Sequence, residues 1–369
     1  TGVANTWGYG AMTNSFTDIR NAKTQIIMGG NPAEAHPVSM QHLLEGAEMR
    51  KANVVVIDPR LTRTAAHATE YVRIRPGTDI PVLYGMLWHV LKNGWEDKEF
   101  IRQRVYGFED LRKEAEKWNP EECERVSGVP GAQMERIAKM FATQKPATII
   151  WCMGQTQHSI GNAMVRASCI VQLALGNIGV SGGGANIFRG HDNVQGATDL
   201  GPNPDSLPAY YGLAPGAWKH WAAVWGVDYE WIQKQFAPGM MEKSGMTVSR
   251  WIDGVLEKNE NIDQPSNLRA VVYWGHAPNS QTRGKEMVDA MKQLDTMVII
   301  DPYPSATAAM AAMVRKDGVY LLPACTQYET SGSVTASNRA LQWRERVIEP
   351  LFESKPDHTL MAAFAKKFG

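Results

Sequence analysis

The stretch RGHDNVQGATDLG, residues 189–201, gathers an arginine, a histidine, two aspartates, an asparagine and a glutamine between glycines. So many hydrogen-bonding side chains with so little to bury suit either a solvated turn or a loop that binds something polar. Arg189 carries a planar fork of N–H donors that stays charged and matches a carboxylate at two points. His191 can tune local charge or pass a proton near neutral pH; a hydrogen-bonded supporting histidine is the alternative. Asn193, Gln195, Thr198 and Asp199 are better suited to holding the loop than to reacting.

Such a loop needs a rigid frame, and the chain contains two similar stretches that could build one. TQIIMGGNP, residues 24–32, is an apolar run ending in glycines and proline. Met40, Leu43, Leu44 and Ala47 follow at helical spacing, and NVVVIDPR, 53–60, is too apolar to alternate, as expected of a strand buried on both faces. Downstream, AVVYWGHAP (270–278), then Met287, Ala290, Met291 and Leu294, then MVIIDPYPS (297–305) repeat the strand, helix and Asp-Pro strand end. Each is a βαβ unit of a parallel sheet.

Between them, residues 94–142 are charged and helical, ATIIWCMG (147–154) is another buried strand, and a helix crosses 159–176. A glycine-dense loop leads to 190, 202–265 reads as a Pro- and Trp-rich insertion with short helices, and 318–347 as strands with a turn. A final helix spans about 357–368. The fold class is α/β, with two Rossmann-like lobes joined near residue 190. The expected division is 1–190 for the first lobe, 191–325 for the second with its insertion, and 326–369 for a strand pair and final helix.

In open parallel sheets, ligands bind at the carboxyl ends of strands, where both Gly-x-x-Pro runs and both Asp-Pro turns fall. An aspartate there can accept two hydrogen bonds from a ribose diol or a guanine edge, and the following helix start favours phosphate. These could also be turn punctuation alone. No G-x-G-x-x-G joins the first strand to its helix and no Walker lysine is present, so nicotinamide and phosphoryl-transfer readings fit poorly. Lysines and arginines (38) balance aspartates and glutamates (38), which leaves no basic footprint for nucleic acid or an anionic membrane. The four cysteines, Cys123, Cys152, Cys169 and Cys325, lack metal-type pairing.

The ordered series GAMTNSFTDI, GGNPAEAHP, IDPRLTRTA, RIRPGTDI, CMGQTQH and FRGHDNVQGATDLG resembles the molybdopterin oxidoreductase family across the whole chain. The last motif is most similar to the catalytic subunit of metal-dependent formate dehydrogenases. The resemblance implies the central domains of a fold of the formate dehydrogenase and dimethylsulfoxide reductase type. It implies a bis-molybdopterin guanine dinucleotide cofactor with molybdenum or tungsten, one dinucleotide in each lobe. It further implies oxidation of formate to CO2, with electrons passing to iron–sulfur clusters, to iron–sulfur and NAD- or flavin-linked partner subunits, in the cytoplasm.

Carried over by position, Gly29, Gly30, Asn31 and Glu34 would line one dinucleotide, completed by Asp58, Arg60, Thr62, Gly77, Thr78 and Asp79. Met153 and Gln157 fall near the pterins. Gly275, His276, Asn279, Asp301 and Thr307 would hold the other dinucleotide. Arg189 matches the arginine beside the metal and His191 a polar position next to it. The family's [4Fe-4S] cysteines and its metal-ligating cysteine or selenocysteine are expected upstream of Thr1, and its carboxy-terminal domain beyond Gly369. Another molybdenum enzyme such as a nitrate reductase, or a non-catalytic relative of the respiratory complex I type, is the alternative.

Overall fold

The computed structural model describes residues 2–201, 205–236, 238–264, 266–278 and 283–368. Its first sheet has the order β3-β2-β1-β4-β5, with every neighbouring pair parallel. The strands are β1 (Thr24–Met28), β2 (Asn53–Ile57), β3 (Glu70–Val72), β4 (Ala147–Trp151) and β5 (Ala185–Ile187). β1 and β4 are buried at every residue, because both faces are covered.

The covering follows the period-2 rule. Ile26, Met28, Val55, Ile57, Ile149 and Trp151 belong to a core that includes Val82, Leu83 and Met86 of helix Asp79–Lys92, Ile137 and Phe141 of helix Gly131–Thr143, and Val165 and Cys169 of helix Gly161–Ala174. Their alternates Ile27, Val54, Val56 and Ile150 belong to a second core with Met40 and Leu43 of helix Pro37–Arg50. Of the apolar positions expected on that helix, Leu44 is instead exposed.

β3 and β5 depart from the sequence expectation, which left both stretches outside strands. Each is three residues long and pairs on one side only, so pairing with β2 or β4 makes the strand rather than any pattern of its own. The glycine-rich approach to β5 is pinned by Asp18. Its carboxylate accepts from Asn14 Nδ2 (2.7 Å), Asn21 Nδ2 (2.9 Å), Gly182 N (2.8 Å) and Ser181 Oγ (2.5 Å).

The second sheet has the order β6-β7-β8, also parallel: β6 (Ala270–Trp274), β7 (Thr296–Asp301) and β8 (Tyr320–Pro323). Tyr273, Met297 and Ile299 pack with Met287, Ala290 and Met291, as the repeat implied. Ile300 and Ala324 pack with Leu360 of helix Asp357–Phe368, where Trp274 Nε1 donates to Asp357 Oδ1 at 2.6 Å. β9 (Gly332–Thr335) and β10 (Leu341–Arg344) form a separate two-stranded sheet.

Two compact units result. The first comprises 1–202, 207–211 and 335–341; the second 203–206, 212–334 and 342–369. The first unit thus runs past residue 190, because residues 189–199 bond back into it: Asn193 Oδ1 accepts from Thr335 N (3.0 Å), and Ser337 Oγ accepts from Arg189 N (3.0 Å). No described helix is long and apolar enough to cross a membrane.

Candidate functional site

β1 lies between β2 and β4, so the chain leaves β1 in one direction and returns on its other side with β4. That switch point opens a crevice at the carboxyl ends, the usual place for a ligand in such sheets. Gly29 ends β1 with φ +61°, its amide donating to Ile57 O (3.0 Å) and its carbonyl accepting from Gly154 N (3.0 Å). A Cβ on Gly29 would lie 2.4 Å from Gln155 N, and one on Gly30 2.9 Å from Cys152 Sγ. The glycines after β1 are there because the β4 loop presses on them.

The following loop is organised by Thr64, which is fully buried. Asn31 Oδ1 accepts from Thr64 Oγ1 (2.8 Å) and N (3.3 Å), while Ala33 N donates to Thr64 Oγ1 (3.0 Å). Asn31 Nδ2 is buried without a hydrogen-bond partner. Glu34 faces Arg63 (3.5 Å) and Arg60 (4.0 Å). At the end of β2, Asp58 Oδ1 accepts from Arg60 N (2.9 Å), and Tyr71 Oη donates to the Asp58 carbonyl (2.9 Å). Burial pushes the Asp58 carboxyl above its ordinary range against the pull of Arg60.

Thr62 is buried and its Oγ1 accepts from Ala65 N at 3.2 Å. Gly77, at φ +83° with open space beside it, precedes Thr78, whose hydroxyl donates to Arg75 O (2.6 Å). Asp79 opens the next helix, 2% exposed, and burial raises its carboxyl too. These residues therefore occupy the β1–β3 side of one carboxyl edge.

On the β4–β5 side a cavity of about 640 Å³ is lined by Met153, Gln157, Arg189 and His191 together with Val3, Trp151, Val165, Phe188 and Val194. Its walls are mostly apolar, and Arg189 brings the cation. The guanidinium donates through Nη1 to Thr198 Oγ1 (2.5 Å) and Val194 O (3.4 Å), and through Nη2 to Gly10 O. All three acceptors are neutral, and no ion pair reaches Arg189 among the described residues. Of its five donors, the Nε–H and one Nη2–H have no described partner. His36 Nε2 donates to the Arg189 carbonyl (2.6 Å), linking the loop after β1 to the loop after β5. His191 is exposed on the rim.

The second unit repeats the strand ends. Gly275 has φ +57° with open space beside it, and its amide donates to Ile300 O (2.8 Å), as Gly29 does to Ile57. Asp301 Oδ1 accepts from Tyr303 N (3.1 Å), as Asp58 does from Arg60. The His276 ring lies 6.0 Å from that of Tyr273, and Thr307 is fully buried in the first turn of helix Ala306–Val314. Asn279 lies outside the described residues.

A model of the Molybdopterin oxidoreductase family matches residues 3–367. The chain belongs to the molybdopterin oxidoreductase family. It is 33% identical over its whole length to the F420-dependent formate dehydrogenase subunit alpha of Methanocaldococcus jannaschii, of which it covers 51%. Formate dehydrogenase H of Escherichia coli is 29% identical over the whole chain, which covers 48% of it. The chain thus spans about half the length of these relatives. Acetylene hydratase from Pelobacter acetylenicus matches in structure with a TM-score of 0.73 at 21% identity, over 100% of this chain and 50% of that one, which establishes the fold.

Several residues at this carboxyl edge and cavity left little mark in the sequence. Thr64 and His36 act through bonds to residues far along the chain, and neither type nor spacing announces that. Tyr210 Oη donates to Gly10 O at 3.0 Å from a segment that reads as insertion. Cys152 lines the cavity, but burial pushes its thiol up to about 12, so it stays protonated.

Proposed function

We propose that this chain is the central part of the catalytic subunit of a molybdenum- or tungsten-dependent formate dehydrogenase, which passes electrons to iron–sulfur clusters and partner subunits. The observation that carries this reading is Arg189: a guanidinium seated on neutral acceptors, with two donors that have no partner among the described residues, lining an apolar cavity.

The residues of the carboxyl edge fit a guanine dinucleotide in each unit. Among the described residues, Asn31 Nδ2 is a buried donor lacking an acceptor, and Gly77 and Gly275 keep open space where a side chain would stand. Asp58 and Asp301 each hold one oxygen on a backbone amide two residues ahead, which fixes the carboxylate. Gly29, Gly30, Asn31, Glu34, Arg60, Thr62, Thr78 and Asp79 would surround the first dinucleotide, and Gly275, His276, Asn279, Asp301 and Thr307 the second, with Met153 and Gln157 nearer the pterins. When bound, the metal centre supplies the two-electron acceptor.

Formate, HCOO⁻, becomes CO2 with release of one proton and two electrons. Arg189 binds the carboxylate through its two available N–H groups, which aims the C–H bond. The apolar walls keep water from competing for that guanidinium and suit a neutral product. A ring nitrogen of His191 takes the proton toward solvent. The test is the full-length protein with its metal content measured, assayed for formate-dependent dye reduction and for nitrate-dependent oxidation of reduced dye. Formate turnover is expected; nitrate turnover in its place would overturn the reading.

A further inference from the structure

The carbonyl of Gly10 accepts from two side chains at once, Arg189 Nη2 and Tyr210 Oη, the latter at 3.0 Å. The Tyr210 hydroxyl in turn accepts from Gln195 Nε2 (2.8 Å), and that same Nε2 donates to Asp199 Oδ1 (2.9 Å). Gln195 is 1% exposed. A continuous hydrogen-bonded chain therefore links Gln195, Tyr210 and the guanidinium, the last two both donating to the Gly10 carbonyl.

Tyr210 reaches this place by a costly turn. Ala209 (φ 57°, ψ 33°) and Tyr210 (φ 63°) are consecutive side-chain-bearing residues in the left-handed region. Such residues are strained unless their surroundings hold them there. Residues 207–211 belong to the first compact unit although the chain on either side, 203–206 and from 212 on, belongs to the second. The ring also approaches that of Tyr9 at 6.2 Å, beside Gly10.

We propose that Tyr210 is a positioning residue for the substrate arginine, acting through the shared Gly10 carbonyl. A carbonyl held by one donor can swing, and the guanidinium bonded to it swings too; a second donor fixes the carbonyl and with it the direction of the two N–H groups that have no partner among the described residues. This rests on the reading that Arg189 binds formate.

The test uses the full-length enzyme with Tyr210→Phe, Arg189→Lys and the double variant. Tyr210→Phe lowers kcat/KM for formate about three- to tenfold, the worth of one hydrogen bond, at unchanged metal and pterin content. On the Arg189→Lys background the same change lowers it by less than about twofold, because coupled residues do not add. Additive losses would overturn the proposal and leave Tyr210 a merely structural residue. An activity-free readout accompanies this: arginine-selective dicarbonyl labelling, quantified on the Arg189 peptide. Tyr210→Phe speeds labelling of Arg189 while exposed Arg63 is labelled at its former rate; an unchanged rate at Arg189 would also overturn it. If the unmodified enzyme does not oxidise formate, the substrate reading fails, and the labelling still decides whether Tyr210 seats Arg189.

Discussion

Gly29 and Gly154 meet backbone to backbone at the switch point, the Gly154 amide donating to the Gly29 carbonyl at 3.0 Å. A Cβ on Gly154 would stand 2.6 Å from that carbonyl oxygen, and one on Gly29 2.4 Å from Gln155 N. Gly29 also has a positive φ. Gly29→Ala should therefore destabilise by about 2–4 kcal/mol, steric overlap adding to left-handed strain. Gly77→Ala carries only the strain, since nothing lies within 4 Å of its Cβ, and should cost about 1–2 kcal/mol. Urea denaturation of both variants checks this; equal costs would mean the two loops do not press on each other as described.

Asp18 and Asp79 should respond to pH in opposite senses. Burial raises the Asp18 carboxyl, but bonds from Ser181, Gly182, Asn21 and Asn14 outweigh it and hold the group below its ordinary 3.8. Its contribution to stability is therefore present above 3.8 and lost as pH falls through the lower folded value. Asp79 is raised by burial, with Asp58 adding to that and its own amide and His158 opposing it. Its contribution is full below 3.8 and lost as pH rises through the raised value. At neutral pH, Asp18→Asn should thus lower stability and Asp79→Asn raise it, both differences shrinking as the medium is acidified below the ordinary carboxylate range. Denaturation midpoints at neutral and acidic pH decide; matching signs would contradict the burial difference.

The central strands were legible because burial on both faces writes continuous apolar runs such as IIMG and VVVI. The paired Asp-Pro ends were legible because two copies of one pattern rarely arise from punctuation. β3 and β5 were not, since three-residue edges owe their shape to a neighbour. At the site, Arg189, His191, Met153 and Gln157, drawn from two separate motifs, line one cavity. The seating of Arg189 through Tyr210 and His36 was hidden, because hydrogen bonds across 200 and 153 positions leave no local spacing to read.

The cavity thiol should be chemically quiet. Burial pushes Cys152 up to about 12, and Cys123 and Cys169 likewise. The thiolate is the reactive form, so only on the order of one in a hundred thousand of these groups is reactive near neutral pH. Iodoacetamide should label these three only after unfolding, read by peptide mass spectrometry. Rapid labelling of Cys152 in the native protein would show that it is neither buried nor protonated.

Asp58 and Asp301 form matching turns at the ends of β2 and β7. If each holds a dinucleotide, Asp58→Ala and Asp301→Ala in the full-length protein should each weaken cofactor retention. Losing one partner from a buried polar contact costs about 1–3 kcal/mol, or roughly five- to a hundredfold in affinity. Pterin and metal content after extensive dialysis is the measurement. Undiminished content in both variants would return these aspartates to the role of turn residues.

Arg189→Lys separates attraction from aim. Lysine keeps the positive charge but loses the planar fork, and it cannot serve Thr198, Val194 and Gly10 while offering two further donors. If Arg189 only attracts the anion, the Michaelis constant rises and turnover stays near normal. If it also aims the C–H bond, turnover falls, because that interaction is stronger in the transition state than in the ground state. The second outcome is expected, a loss of about tenfold to a thousandfold in kcat, or about 1.4–4 kcal/mol. The bonds to Gly10, Val194 and Thr198 also tie three parts of the first unit together, so a lowered unfolding temperature should accompany it. Metal and pterin content should hold, since the guanidinium is assigned to substrate. Steady-state formate kinetics with metal analysis reads both effects, and unchanged kinetics at full metal occupancy would remove Arg189 from the substrate site.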